Sequence, residues 1–232
     1  DASHSYSRDR NLWHISHEGL ELEDPSQAPN YDNMLVLGVT PEKAPDKETE
    51  VTMTFEQGVP KTLNGKEMKV SEIITELNKL GGENGIGIVD IVENRVVGMK
   101  SRGVYETPGG TILMAAHEQL EELILDRDSL SFKKGISEKF ANIVYEGKWF
   151  TPLREACQAF VESLDEKVTG EVKMKLYKGN IIKAGTTSPN SLYSETLASF
   201  TTGELYDHHD AEGFINLFGL SMKVRAMLEE KK

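Results

Sequence analysis

The hydrophobic positions of this chain follow two periods, and the change from one to the other marks out its elements. Val51-Thr52-Met53-Thr54-Phe55 alternates apolar and polar residues and is rich in β-branched side chains, the pattern of a strand with one buried face. Gly58 follows, and Thr62-Leu63-Asn64-Gly65-Lys66 contains an Asn-Gly pair favoured in tight turns, so this segment predicts a β-hairpin. The period then lengthens. Ile73, Ile74, Leu77 and Leu80 share one helical face, with Ser71 placed to cap its start and Gly81-Gly82 to end it. A short apolar run, Ile86 to Val92, continues through Val96-Val97 and predicts a strand region. Thr107-Pro108 then reads as the cap and first residue of a helix with Ile112, Leu113, Ala116, Leu120, Leu123 and Ile124 on its buried face.

Further helices are predicted over Ser131 to Tyr145 and over Pro152 to about Leu164, the second capped by Thr151. Gly170 to Tyr177 alternates again, Lys178-Gly179-Asn180 turns, and Ile181-Ile182 returns as a second hairpin. A short helix is expected around Leu192 to Phe200, and a last one over Ala211 to Leu228 carries Phe214, Ile215, Phe218, Leu220, Val224 and Leu228. A terminal helix this apolar needs a partner, either its own core or another subunit. Pro25, Pro29, Pro41 and Pro45 make an irregular connector between them, with an apolar patch at Met34 to Val39. Strands, helices, a hairpin and more helices without regular βαβ alternation predict the α+β class, with antiparallel hairpins and a central strand region packed against helices. The division expected is a domain over 1–206 followed by a helical oligomerisation arm over 207–232.

Composition narrows the range of functions. The 232 residues with 38% hydrophobic content can bury a core, and the net charge of −12 disfavours nucleic acid or an anionic membrane as partner. The single cysteine, Cys157, has no internal partner and sits among Ala156, Ala159, Phe160 and Val161 on a helix, which reads as a small core residue in a reducing compartment. No apolar stretch approaches a membrane span, and Asp1-Ala2-Ser3-His4 lacks both a signal-peptide pattern and an initiator Met, reading as the start of a fragment. Phe140, Tyr145, Trp149, Phe150 and Phe160 read as core aromatics rather than a cofactor cage.

The chemistry concentrates between Asp90 and Thr111, where carboxylates, guanidinium groups, an ammonium and a phenol interrupt strand-like sequence. Glu93 and Tyr105 are 12 positions apart, so only a bend or hairpin brings them together. The start of the following helix, with Gly109 and Gly110, suits an anion, and a zwitterionic ligand would place its anion there and its ammonium on a carboxylate. Structural ion pairs account for Glu93, Arg95 and Arg102 equally well on the residues alone. His14-x-x-His17 and His208-His209-Asp210 lack the further ligands of a metal site, so none is expected. There is no Gly-x-Ser-x-Gly, no phosphate loop and no dinucleotide fingerprint, and the glycine-rich Gly81 to Gly87 follows a helix rather than a strand.

Two stretches carry a resemblance. Tyr6-Ser7-Arg8-Asp9-Arg10-Asn11-Leu12-Trp13-His14-Ile15-Ser16, and Ile91-Val92-Glu93-Asn94-Arg95 with Met99-Lys100-Ser101-Arg102-Gly103-Val104-Tyr105-Glu106-Thr107-Pro108, resemble the argininosuccinate synthase family, and the similarity runs to the C-terminal helix. That family joins citrulline to aspartate, using ATP to activate the ureido oxygen as an adenylate that the aspartate amine displaces. The resemblance is to the synthetase and multimerisation part alone; the nucleotide-binding domain with its pyrophosphate loop has no counterpart here. It implies citrulline contacts at Ser7, Ser16, Glu93 and Tyr105, none of them a general acid or base. ATP with Mg2+, and aspartate, would be held mainly by the missing part, so the fragment alone is expected to be inactive. A cytoplasmic homotetramer is implied, with C-terminal helices reaching across subunits. Pro108-Gly109-Gly110-Thr111 departs from the family, where Ala often replaces one glycine. The competing reading is a non-catalytic oligomerisation module of a larger cytosolic protein.

Overall fold

The computed structural model describes residues 5–194, 207 and 209–230. The chain divides into two compact units, Asp1–Leu192 and Tyr193–Lys232. The boundary expected at 206/207 falls inside the second unit, next to residues outside the described set.

The first unit is α+β, built on two antiparallel sheets. One is four-stranded, in the order β1 (Ser7–Arg10), β2 (Ile15–Glu18), β7 (Lys100–Glu106), β6 (Ile88–Asn94); the other is five-stranded, in the order β5 (Lys66–Glu67), β4 (Val59–Leu63), β3 (Thr49–Glu56), β8 (Gly170–Tyr177), β9 (Asn180–Thr187). Helices α2 (Val70–Glu83) and α3 (Pro108–Ile124) pack on each other and on the second sheet. Val51, Met53 and Phe55 of β3 and Val172, Met174 and Leu176 of β8 meet Ile73 and Leu77 of α2 and Ile112, Ala116 and Leu120 of α3 in one core. The alternating and helical periods read from the sequence are therefore two sides of the same apolar layer.

The turn chemistry differs in detail from expectation. The Asn64-Gly65 pair, with φ of 50° and 78°, joins β4 to β5, while Gln57-Gly58, at 49° and 77°, turns β3 into β4. Two such turns in succession make a three-stranded meander rather than one hairpin. Lys178-Gly179 turns β8 into β9 as predicted. Val96 and Val97 are not strand residues: Gly98 N donates to Arg95 O, Arg95 N donates to Met99 O, and the valines project from the β6–β7 turn.

Helix α2 starts one residue before Ser71, and the Glu72 carboxylate accepts from Lys69 N in place of a serine cap. Gly81 and Gly82 lie in its last turn. A Cβ on Gly82 would stand 2.1 Å from the Leu37 carbonyl, so that glycine serves close packing, not termination. Helices α4 (Arg127–Tyr145) and α5 (Pro152–Asp165) pack together; the first starts four residues before the expected Ser131 and is capped by Asp126, and Thr151 caps the second as predicted. Cys157 is buried with a free thiol. The aromatics assigned to the core are not buried, Phe150 being 92% exposed. Three of them make ring contacts outside the core: Phe140 meets Trp149, and Phe160 meets Phe132, both edge to face. A short α1 (Tyr31–Met34) lies in the connector.

In the second unit the single helix expected over Ala211–Leu228 is two, α6 (His209–Phe218) and α7 (Leu220–Glu229), separated at Gly219. Phe214 and Phe218 stack at 5.2 Å and remain exposed, as do Leu217, Met222 and Met227. The helix expected around Leu192–Phe200 lies mostly outside the described residues. No helix among the described residues is long and apolar enough to cross a membrane.

Candidate functional site

The four-stranded sheet sorts its side chains onto two faces, because directly opposed residues project the same way and neighbours along a strand project oppositely. Ser7 opposes Glu18 and Asp9 opposes Ser16. Ser16 opposes Tyr105, which opposes Val89; two steps along, Gly103 opposes Ile91, and then Ser101 opposes Glu93. Ser7, Ser16, Glu93 and Tyr105 therefore share one face, together with Asp9, Glu18 and Ser101.

The other face is closed by the connector. His17 and Glu106 are almost fully buried there, with His17 Nε2 2.7 Å from Glu106 Oε2. Arg8 Nε donates to His17 Nδ1 at 3.0 Å, so the Nε2 of a neutral ring carries the proton and donates to Glu106. Glu106 also accepts from the backbone N–H groups of Val36, Leu37 and Gly38. Leu22, Met34 and Val104 complete a small apolar cluster beside this pair. The apolar patch read at Met34 to Val39 thus wraps a buried carboxylate. Both His17 nitrogens are engaged, so His14-x-x-His17 is a structural pair in name only.

On the open face the Tyr105 hydroxyl donates to Glu93 Oε2 at 2.8 Å. Burial, and then the hydrogen bond and charge of Glu93, push the phenol up to about 12, so it stays a donor at neutral pH. His14 packs its ring edge to face with Tyr105 at 5.8 Å. Beside them Arg95 Nη2 bonds Glu18 Oε2 at 2.9 Å and Ser101 Oγ at 3.1 Å. Ser16 is buried and its Oγ accepts weakly from Asp9 N at 3.4 Å, whereas Ser7 is exposed at the sheet edge. Arg95, read from the sequence as a possible ion-pair partner, does pair with Glu18; Glu18 and Ser101 were not singled out, although two-residue alternation from Ser16 would have placed Glu18 on the same face.

Arg102, by contrast, is structural. Its guanidinium holds both carboxylate oxygens of Asp90, at 2.9 and 2.8 Å, and donates to the carbonyls of Asp24 and Gln27. That hydrogen-bonded pairing lowers the Asp90 carboxyl. The anion seat expected at the start of α3 is also absent. Gly109 N donates to Asn78 Oδ1, residues 108–110 are buried, and a Cβ on Gly110 would stand 2.7 Å from the Trp13 ring. Thr107 makes no side-chain cap; its carbonyl accepts from Thr111 Oγ1. The two glycines seat α3 against α2 and Trp13, so a ligand anion does not reach this helix end.

Among the described residues, one group has metal-like composition: His117, Glu121 and Asp165. Lys133 bonds Glu121, and His117 Nδ1 lies 3.2 Å from the same carboxylate. An ammonium already supplies the positive charge that an ion would bring, and the cluster fastens α3, α4 and α5 together. Burial raises the Asp165 carboxyl above the usual range.

An α+β chain with an open sheet face of carboxylates, hydroxyls and a phenol has the donor and acceptor set for a small polar molecule bearing an amino group. A family model described as the arginosuccinate synthase C-terminal domain matches residues 6–225. The argininosuccinate synthase of Lachnoclostridium phytofermentans is 79% identical over 227 residues, covering 98% of this chain and 56% of that protein. That of Agathobacter rectalis is 77% identical over 232 residues, with 98% and 57% covered, and that of Acetivibrio thermocellus is 64% identical over 227. The chain belongs to the argininosuccinate synthase family and spans a little over half the length of these relatives.

Proposed function

We propose that this chain forms the citrulline-binding part of an argininosuccinate synthase, the ligase that joins citrulline and aspartate with ATP to give argininosuccinate, AMP and pyrophosphate. The observation that carries the reading is the convergence of Ser7, Ser16, Glu93 and Tyr105 on one open sheet face, with Tyr105 hydrogen-bonded to Glu93. Glu93 is the partner for the α-ammonium, and Tyr105 holds that carboxylate in place while keeping its own proton. Ser7 and Ser16 offer hydroxyls to the carboxylate or ureido group. These residues bind and orient; the reaction needs no proton transfer from them, because fixing citrulline for adenylation and then for amine attack is itself catalytic.

The face does not suit a nucleotide polyphosphate. It presents Asp9, Glu18 and Glu93, and the Arg95 guanidinium is already paired with Glu18. ATP with its Mg2+, and aspartate, are therefore assigned to the part of the longer protein that this chain lacks, and the chain alone is proposed to be inactive. Calorimetric titration of citrulline into full-length synthase containing this sequence, against the Glu93→Gln variant, tests the reading: equal affinities would overturn it.

A second role, assembly, is supported by the apolar surface of α6 and α7. Phe214, Ile215 and Phe218 are exposed within their own unit, and we propose that they bury against other subunits of a cytoplasmic homotetramer.

A further inference from the structure

The hydrogen bond between Tyr105 and Glu93 spans an unusual distance along the sheet. Tyr105 stands opposite Val89, and Glu93 lies four residues further along β6, about 13 Å at roughly 3.3 Å per residue. Neither side chain covers that span alone, and side chains normally stand off a sheet instead of lying along it. The two can meet only if the phenol ring lies down along β7 over the position between Tyr105 and Ser101. That position is Gly103. It is buried beneath the ring, and a Cβ built on it would stand 3.2 Å from Tyr105 Cε2 and 3.6 Å from Cζ. Gly103 has none of the backbone reasons for being glycine: its φ is not in the left-handed region, and it sits in mid-strand with regular pairing to Ile91. A glycine there weakens the strand without helping a turn.

We propose that Gly103 is a positioning residue for the citrulline site, its missing side chain leaving the lane in which Tyr105 lies to hold Glu93. The inference rests on the proposed citrulline role of the pair but concerns a residue that touches no ligand. A β-carbon at 103 crowds the ring and pushes it off β7 by a few tenths of an ångström, and the two methyl groups of valine push it further. The hydroxyl then leaves Glu93, whose carboxylate becomes free to rotate out of register with the ammonium it receives. The backbone itself accepts the change, since extended β7 suits a β-branched residue.

The test uses Gly103→Val, with Gly103→Ala as the milder companion, in full-length synthase containing this sequence, and Tyr105→Phe as reference. Citrulline affinity is read by calorimetry and the Tyr105 phenol by ultraviolet titration, with the Tyr105→Phe protein identifying its contribution. Gly103→Val is expected to weaken citrulline about tenfold, on the order of one charge-assisted hydrogen bond, and to bring the phenol down from about 12 toward its ordinary 10.0. A merely structural glycine would move thermal unfolding and leave the phenol where it is. Unchanged affinity and titration in Gly103→Val, with Tyr105→Phe weakened, would overturn the positioning role and leave the citrulline reading intact. Unchanged affinity in Tyr105→Phe itself would overturn the role of the Tyr105 hydroxyl in the citrulline site and with it the positioning role of Gly103, while the citrulline reading as a whole is decided separately by Glu93→Gln. If Gly103→Val fails to fold, Gly103→Ala is read against the same outcomes, with a smaller expected change.

Discussion

Glu106 and Val36 are 70 positions apart, yet Val36 N donates to Glu106 Oε2 at 2.9 Å, and Leu37 and Gly38 add their own N–H groups to the same carboxylate. With His17 on its other side, Glu106 ties the end of β7 to the connector and closes the back of the sheet whose front carries the candidate site.

Glu106→Ala should therefore destabilise the fold strongly, since it leaves buried N–H groups and His17 without an acceptor. The expected loss is on the order of 1–3 kcal/mol for each buried donor left unsatisfied. Urea unfolding of the variant against the parent measures it, and a loss below about 1 kcal/mol would show that water replaces the carboxylate.

Glu93→Gln should behave in the opposite way. Glu93 lies at the open face and holds no part of the core, so unfolding should change little while citrulline binding weakens by roughly 1.5–3 kcal/mol, the value of a charged hydrogen bond. A double-mutant cycle with Tyr105→Phe should give less than the sum of the two single losses, because the phenol acts through the carboxylate. Strict additivity would separate the two roles.

Arg102 lowers the Asp90 carboxyl in the folded protein. The folded value is below the unfolded one, so the pair's contribution is present above the ordinary 3.8 and fades as pH falls through the lower folded value. Asp90→Asn should cost stability at neutral pH and make the acid-side decline less steep below about pH 4. Parallel curves for parent and variant, from thermal unfolding at stepped pH, would mean that Asp90 does not contribute to acid sensitivity.

Truncation after Gly213 removes the apolar side chains from Phe214 onward. Each large side chain buried at an interface contributes about 1.5–3 kcal/mol, so the truncated protein should sediment and scatter light as smaller species than the parent. Retention of the parent mass would place α6 and α7 outside the assembly contacts.

The elements whose evidence is local were legible in the residues. Helices α2, α3 and α5 follow from apolar spacing, and β8–β9 from alternation around Lys178-Gly179, because 3.6-residue and two-residue periods and left-handed turn residues are properties of neighbouring positions. The polar stretch from Asp90 to Thr111 was visible for the same reason: its charge density stands out along the chain. Tertiary packing decided which of those charges serve the open face. Arg102 and Glu106 turn to the back of the sheet and Glu93 and Tyr105 to the front, a sorting set by strand register with β2 and by the connector around residues 36–38. It also decided what the glycines are for. Gly82 admits the Leu37 carbonyl, Gly110 admits Trp13, and Gly103 admits the ring of Tyr105. Two of these contacts come from residues tens of positions away, and the third from a side chain laid along its own strand, so no spacing rule reports them. The apolar arm was evident from its composition, but its break at Gly219 into two helices was not, because a glycine interrupts a helix only where the surrounding contacts do not hold it in line.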